Sequence, residues 1–503
     1  VRKACQAISL AVFLALLLVV AWPYADQFSD ELLARKEIIP AESFLLMDPL
    51  VGTAAALAGR VLGRALLWAL GILTLCSLLP RGFCSHVCPL GTTIGVFDWA
   101  VGRRFRRLHL SRRGWWVHLK YYLLAAVLLA AVLQVTLAGY VAAIPLATRA
   151  YVFALNPIQT ALLKHPGMVR PMAWTYWLGV GLFVGVVGLG VLGRRFWCRY
   201  LCPTGALLSI GTLLRLRDRR VSDACIECGK CIDACPFDAI NHDFSTRVRD
   251  CAFCPECVAA CPVDAISFGR RGEGKGVASG PRVSRRGFIE ASAAGVLCAV
   301  GIAEWSESDE LLRPPGSVNE RRFLQLCVRC GECMKACPGP VLHPAGLEAG
   351  INALWTPVAV PTWAGCHQEC NFCGQVCPTG AIRPLDIAAK KRTSMGVAVI
   401  DTATCRPHAG EEDCTLCCDE CTAAGYDAIE MREIELDVGD IPEGVMSAMD
   451  IEAASSIVAP FVDAERCVGC GLCEYRCNAY WVKHRREVDV PPIAVRAENT
   501  DRP

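Results

Sequence analysis

The sequence predicts an α-helical membrane bundle, four spans arranged as an internal duplication plus a fifth anchor helix, joined to cysteine-rich α+β domains. Three observations carry that reading. Mean hydropathy is +0.35 across 503 residues, one cysteine-centred phrase recurs at an offset of 114 residues, and 28 of the 32 cysteines fall into short-spaced groups.

About 20 apolar residues cross the roughly 30 Å of a bilayer core. Stretches approaching that length lie near Ala4–Trp22, Leu62–Leu79, Tyr121–Tyr140 and Trp174–Gly193. A buried helix of a soluble protein is the alternative for each, most of all for the second, which carries Arg64 near one end. The first has the length of a signal peptide, but no convincing small-residue cleavage site follows it and three further spans do. Lys and Arg assign the sides: Arg81–Lys120 carries eight of them and Arg194–Arg220 seven, whereas the opposite loops carry few. Both basic segments are therefore expected in the cytoplasm, and the amino terminus with Arg2 and Lys3 agrees.

Each basic segment opens on the same phrase. Arg81-Gly82-Phe83-Cys84-x3-Cys88-Pro89 returns as Arg195-Phe196-Trp197-Cys198-x3-Cys202-Pro203, and Asp48-Pro49 in one opposite loop is echoed by Asn156-Pro157 in the other. A parallel repeat of this kind generates a pseudo-two-fold axis along the membrane normal. Two cysteines from each half can meet at that axis, so Cys84, Cys88, Cys198 and Cys202 are expected to complete one site at the cytoplasmic membrane face. Two separate two-cysteine sites are the competing reading. This membrane domain takes residues 1–220.

Residues 221–268 hold two full C-x2-C-x2-C-x3-C-P runs: Cys225, Cys228, Cys231, Cys235-Pro236 and Cys251, Cys254, Cys257, Cys261-Pro262. A [4Fe–4S] cube needs four thiolates converging from different directions; one tight loop supplies three, and in two-cluster ferredoxins the fourth cysteine ligates the other cube. That pairs Cys225, Cys228 and Cys231 with Cys261, and Cys251, Cys254 and Cys257 with Cys235, in an α+β dicluster-ferredoxin domain. Proline after the fourth cysteine ends the loop and has no N–H to donate. Structural zinc also uses paired C-x2-C motifs, but not a third cysteine and a C-P in this register twice over. A disulfide framework suits runs this dense still less.

A Gly-rich basic linker, residues 269–283, leads to Ser284-Arg285-Arg286-Gly287-Phe288-Ile289 and an apolar stretch ending at residue 303, the pattern of a twin-arginine export signal. Without a clear cleavage site it is expected to stay as an anchor; a linker helix is the alternative. Export in the folded state fits a domain in which metal insertion and folding are coupled. The remaining residues, 304–503, contain four more groups: Cys327, Cys330, Cys333, Cys337; Cys366, Cys370, Cys373, Cys377; Cys405, Cys414, Cys417, Cys421; and Cys467, Cys470, Cys473, Cys477. The count closes on seven clusters, leaving Cys5, Cys76, Cys298 and Cys418 spare, with Cys418 ambiguous beside Cys417. Formal charge is −13 over residues 304–503 and +15 over residues 1–303. An acidic exported domain steers basic acceptors such as small cytochromes, although a solvated surface without a partner fits the charge equally well.

With these residues in view, the chain resembles two known families joined into one. Residues 1 to about 268 resemble NapH, membrane quinol dehydrogenase subunits with four spans, two C-x3-C-P motifs and a cytoplasmic ferredoxin pair. Residues 284 to about 485 resemble NapG, twin-arginine-exported four-cluster ferredoxins, and MauN and MauM share the layout. The fusion, Cys418, and Thr422 and Asn478 in place of a proline depart from the pattern. Resemblance to four-cluster ferredoxin subunits implies that outer groups exchange with outer and inner with inner. Cys337 would then join the Cys467 group, Cys477 the Cys327 group, Cys377 the Cys405 group and Cys421 the Cys366 group. The resemblance further implies a bacterial inner-membrane complex that oxidises membrane quinol and delivers electrons to a periplasmic cytochrome or reductase, the C-terminal domain lying in the periplasm. Two alternatives stand beside it: a ferredoxin-fed quinone reductase with every cluster cytoplasmic, and a maturation factor such as a copper reductase. Nucleic acid is not an expected partner.

The residues alone reach an electron wire but not a quinol. His86, inside the first C-x3-C-P loop, is the nearest candidate for proton-coupled chemistry, against the plainer reading of a surface histidine. Asp48, Glu42 and His165 are weaker candidates, read by default as capping or solvated side chains. Haem is not expected in this chain, because no C-x2-C is followed by His and no His lies mid-span. One difficulty stands: cysteine groups are expected on both sides of about 30 Å of hydrocarbon, and no carrier is visible between them. A quinone held between the repeats, another subunit or a deeper cluster would bridge it.

Overall fold

The computed structural model describes residues 2–20, 40–78, 81–101, 104, 115–163, 169, 172–271, 277–278, 284–304, 311–435 and 456–497. Helices α1 (Arg2–Val19), α2 (Pro49–Gly59), α3 (Arg64–Leu78) and α4 (Pro89–Ala100) make one half of a repeated unit. The other half is α5 (Leu119–Val132), α6 (Ala143–Leu163), α7 (Trp174–Gly188) and α8 (Pro203–Gly211), in the same order. In both halves the C-x3-C stretch is a single π-helical turn, Phe83–Val87 and Trp197–Leu201, and the next helix opens on proline. Proline suits that first position because its missing N–H has no partner in a helix anyway.

By length and composition, α1 and Trp174–Val191 are long and apolar enough to cross a membrane, and Pro49–Gly59, Arg64–Leu78 and Trp116–Val132 are shorter apolar helices. The third expected span is displaced: its helix begins earlier and ends at Val132 instead of running to Tyr140. The chain breaks there because Gln134 takes a left-handed backbone, φ 67°. Asn156-Pro157, expected in a loop, lies inside α6 with Pro157 mid-helix.

Helix α9 (Arg285–Glu304) packs against α5 and runs in the same direction. A Cβ built on Gly287 would stand 2.6 Å from Tyr122 Oη and one on Gly295 2.7 Å from Ala126 Cα, while Ala299 is buried with Ala130 and Val135. Gly287, Ala291, Gly295 and Ala299 recur every fourth residue, a small-residue face that lets two backbones approach closely. Its other faces leave Ile289 and Leu297 exposed, and Ile8, Leu67, Trp177 and Val184 stand equally bare on α1, α3 and α7.

Two cysteine-rich bodies sit at opposite ends of α5. At its start, residues 217–271 are closed by β1 (Arg217–Val221) antiparallel to β2 (Ile266–Arg270), with Arg217 opposite Arg270. Beyond its end lie residues 311–497, held by three antiparallel pairs: β3 (Leu342–Pro344) with β4 (Pro357–Ala359), β5 (Val397–Ile400) with β8 (Ile493–Arg496), and β6 (Ile429–Glu435) with β7 (Ser456–Val462). A single apolar core runs from Phe13, Leu50 and Phe153 of the helices into Phe323, Val328 and Trp355 of this second body.

Candidate metal centres

The duplication brings its four cysteines together. Cys84 and Cys198 lie in the two π-turns; Cys88 and Cys202 cap α4 and α8, their Sγ atoms accepting from the backbone N–H of Gly91 at 3.4 Å and Gly205 at 3.3 Å. Burial pushes all four thiols up, and the four stand close enough to hinder one another's ionisation further. Arg81 and Arg195 act against this on Cys84 and Cys198.

The 217–271 body docks on that site. Ser85 Oγ donates to Ala252 O at 3.2 Å, Arg81 Nη1 to Asp250 O at 3.1 Å, and Lys120 Nζ to Asp250 Oδ1 at 2.7 Å. Burial alone would raise the Asp250 carboxyl, but Lys120 and Arg247 outweigh it and hold the group at about 2. Cys198 and Cys235 both pack against the buried cluster of Phe237, Ala252 and Cys254, so the two sites adjoin. Within the body, Cys251 and Cys257 face Cys235 and Cys254, and Cys231 faces Cys225 and Cys228. The fourth cysteines of the two runs share a device: Cys235 accepts from Ala239 N and Cys261 from Ala265 N, each at 3.3 Å. Hydrogen bonds of this kind favour the charged thiolate.

The second body departs from the nested pairing. Cys377 faces Cys327, Cys330 and Cys333, while Cys337 faces Cys366, Cys370 and Cys373. Cys477 joins Cys405, Cys414 and Cys417, and Cys421 joins Cys467 and Cys470 beside Cys473. Exchange therefore runs between consecutive groups, as in two ordinary two-cluster units placed in series. Three of the sets each line one small cavity: Cys337, Cys366, Cys370, Cys373; Cys405, Cys414, Cys417, Cys477; and Cys421, Cys467, Cys470, Cys473. Cys417 faces its cavity, whereas Cys418 turns away and its Sγ donates to Ile429 O at 3.2 Å.

The loops owe their winding to a recurrent Cys-Gly-x-Cys. Gly229, Gly331 and Gly471 adopt φ of 73°, 83° and 77°, a left-handed turn that opens the short helix carrying the third cysteine. Burial pushes these thiols up, Cys257 to about 11 and Cys370, Cys470 and Cys477 to about 12.

The sets also stand in a row. Cys333 faces Cys373, Cys366 N donates to Cys470 O at 2.8 Å, and Cys473 faces Cys417. The order in space is thus the Cys327, Cys366, Cys467 and Cys405 sets, the last two inverted relative to the sequence. The Cys327 set lies against the helices: Arg329 Nη1 donates to Thr136 O at 2.8 Å, and a Cβ on Gly139 would meet Val328 O at 2.6 Å. Between it and the C-x3-C-P site stands α2. Asp48 at its start accepts from Thr204 Oγ1 at 3.2 Å, two residues beyond Cys202, and a Cβ on Gly59 at its end would meet Leu326 at 2.5 Å. Eleven helical residues make roughly 16 Å, about half the expected gap.

The other candidates fall as follows. Asp48 is wholly buried, capping α2 through Leu50 N and accepting from Ile144 N at 3.2 Å; it is not the opposite-side loop residue expected, because α2 and α6 both begin in the interior. Sequence spacing carried no signal for this convergence. Glu42 is buried and paired with Arg64 at 3.2 Å. His86 Nδ1 lies 2.6 Å from Ser85 Oγ. His165 lies outside the described residues.

The donor sets fit iron–sulfur cubes. Among the described residues no three His, Cys, Asp or Glu side chains close round a point as ligands of one ion do; a cube takes one thiolate on each of four irons, which needs them spread round a cavity. Family profiles described as "4Fe-4S binding domain" match residues 220–241, residues 61–108, 175–221 and 371–385, and residues 324–346 and 464–480. One of them matches both halves of the duplication. The methylamine utilization ferredoxin-type protein MauM of Methylophilus methylotrophus is 32% identical over 39% of this chain and 80% of its own length. The ferredoxin-type protein NapG of Escherichia coli is 33% identical over 39% and 82%, and MauM of Methylorubrum extorquens 35% over 37% and 79%. No solved structure matches.

Proposed function

The chain belongs to the family of MauM and NapG ferredoxin-type proteins, which it matches over about two fifths of its own length, and from that premise we propose a membrane-bound carrier of seven [4Fe–4S] clusters that passes electrons from membrane quinol to a periplasmic acceptor. It is an iron–sulfur electron-transfer protein; the cluster count, the quinol, the sidedness and the acceptor are the proposal. The observation that carries it is the row of four-cysteine sets, continued through Cys198 into Cys235 and Cys254 of the first body. The two bodies sit at opposite ends of α5, with α9 leading from one to the other, which supports a crossing over an arrangement with every cluster cytoplasmic. Bare apolar side chains on α1, α3, α7 and α9 support a lipid surround.

Each cube, when bound, supplies a one-electron site. The chain's own residues do the rest. Thiolates hold the cube, and the N–H donors of Gly91, Gly205, Ala239 and Ala265 favour their charged form. Quinol oxidation also sheds protons, and His86 beside Cys84 is the residue assigned to take one, with Ser85 orienting its ring. Anaerobic addition of a quinol to the full chain in lipid nanodiscs tests the reading: cluster signals should bleach or acquire the reduced spectrum. A chain fully loaded with iron that no quinol reduces would refute it. Protease added to spheroplasts should degrade the acidic body; full protection would remove the periplasmic assignment.

A further inference from the structure

Arg81 and Arg195 open the repeated phrase. Both are buried, 1% and 2% exposed, and both hold left-handed backbones, φ 50° and 48°, which a non-glycine residue adopts at a cost. The strain is repeated at equivalent places in the duplication. It aims each side chain across the pseudo-two-fold axis at the other half: Arg81 Nη2 donates to Cys198 O at 3.3 Å and lies 3.2 Å from a Cβ built on Gly205. Arg195 Nη1 lies 3.6 Å from one on Gly91, and its Nη2 3.1 Å from one on Gly95. A side chain at Gly95 or Gly205 would crowd the guanidinium, while one at Gly91 would lie in ordinary contact with it. Both guanidiniums also face the Phe237 ring, at 5.4 Å and 5.0 Å, which closes the site from the first body.

Neither Nη of Arg195 has a hydrogen-bond partner. An unpaired buried cation is strongly unfavourable unless a negative charge stands near it. Asp98 is near, but its Oδ2 accepts from the Arg195 backbone N at 2.9 Å, and Asp250 is engaged by Lys120. Besides Asp98, the negative charge facing Arg195 is that of thiolates at Cys198 and Cys88, in one site with Cys84 and Cys202. Four thiolates on a cube in its oxidised, doubly positive state carry two net negative charges, and two arginines cancel them.

We propose that Arg81 and Arg195 are a pair of charge-compensating residues shared by the Cys84, Cys88, Cys198 and Cys202 cluster, and that they ease its reduction. This rests on reading the four cysteines as one site. The arginines add no bond to the cluster; they neutralise the charge that the incoming electron would otherwise oppose.

The test is an anaerobic redox titration of the full chain followed by electron paramagnetic resonance and iron analysis, the signal being assigned by its loss in Cys88→Ser and Cys202→Ser. Arg81→Gln and Arg195→Gln should each lower the reduced-to-oxidised ratio at fixed potential about tenfold, 59 mV for a one-electron couple. Arg81→Lys and Arg195→Lys should stay within about threefold of the unsubstituted protein. Asp98→Asn, at the half-buried rim of the site, should move the ratio the other way and serves where a glutamine variant does not load iron. Unchanged potentials at full iron content, lysine variants that fall as far as glutamine, or no rise in Asp98→Asn would overturn the proposal. If Cys88→Ser and Cys202→Ser remove different signals, the shared site is wrong and the proposal falls with it.

Discussion

Replacing Asp250 by Asn should loosen the first cysteine-rich body from the helices beneath it. Lys120 Nζ lies 2.7 Å from Asp250 Oδ1, its side chain 1% exposed against 18% for the aspartate. The aspartate is held at about 2 against an ordinary 3.8, a preference for the charged form on the order of 2–3 kcal/mol. A depressed carboxyl stabilises the folded form at every pH above its unfolded value and loses that contribution as pH falls through 3.8 towards 2. At pH 7 all of it is present. The substitution also strands a buried ammonium, and removing one partner of a buried pair costs about 3–5 kcal/mol. Docking should therefore weaken about 100-fold or more. Hydrogen–deuterium exchange at pH 7 reads this directly over residues 249–255, whose Asp250 and Ala252 carbonyls receive Arg81 and Ser85. Those amides should exchange about 100-fold faster, while the β1–β2 pair keeps its protection. A Lys120→Met, Asp250→Leu double variant should recover most of the loss. Acceleration of less than about threefold in Asp250→Asn would refute the electrostatic account of docking.

Cys337→Ser should abolish the cluster held by Cys366, Cys370 and Cys373 and spare that of the Cys467 set; resonance spectra that lose the latter instead would restore the nested pairing. Cys418→Ser should keep the full iron content that Cys417→Ser loses, because only Cys417 faces its cavity. Gly295→Leu drives a side chain onto the Ala126 backbone and should cost about 1–3 kcal/mol, seen as a lower unfolding temperature in detergent; an unchanged temperature would mean that α9 does not rest on α5.

The cysteine spacing made the gathering of cysteines into short-range groups legible, because residues this close in a tight loop must converge, and the recurrence of Arg-x2-Cys-x3-Cys-Pro made the duplication legible. What stayed hidden is long-range. Cys337 and Cys377 are chemically equivalent fourth ligands, and only the packing of their helices decides which loop each one closes. Asp48 read as a loop residue because Asp-Pro usually starts a turn; that α2 and α6 both begin in the interior depends on contacts with Thr204 that no local pattern encodes. Asn156-Pro157 misled in the same way, since a proline mid-helix is tolerated where neighbouring elements hold the chain. The length of the electron gap followed from these misses: with α2 unseen, nothing shortened the distance.

Iron analysis of protein prepared without oxygen bears most directly on the whole account. The seven four-cysteine sets predict about 28 iron atoms and as many acid-labile sulfides per chain, with no stoichiometric zinc. Zinc in their place, or iron far below that number in a folded chain, would contradict it.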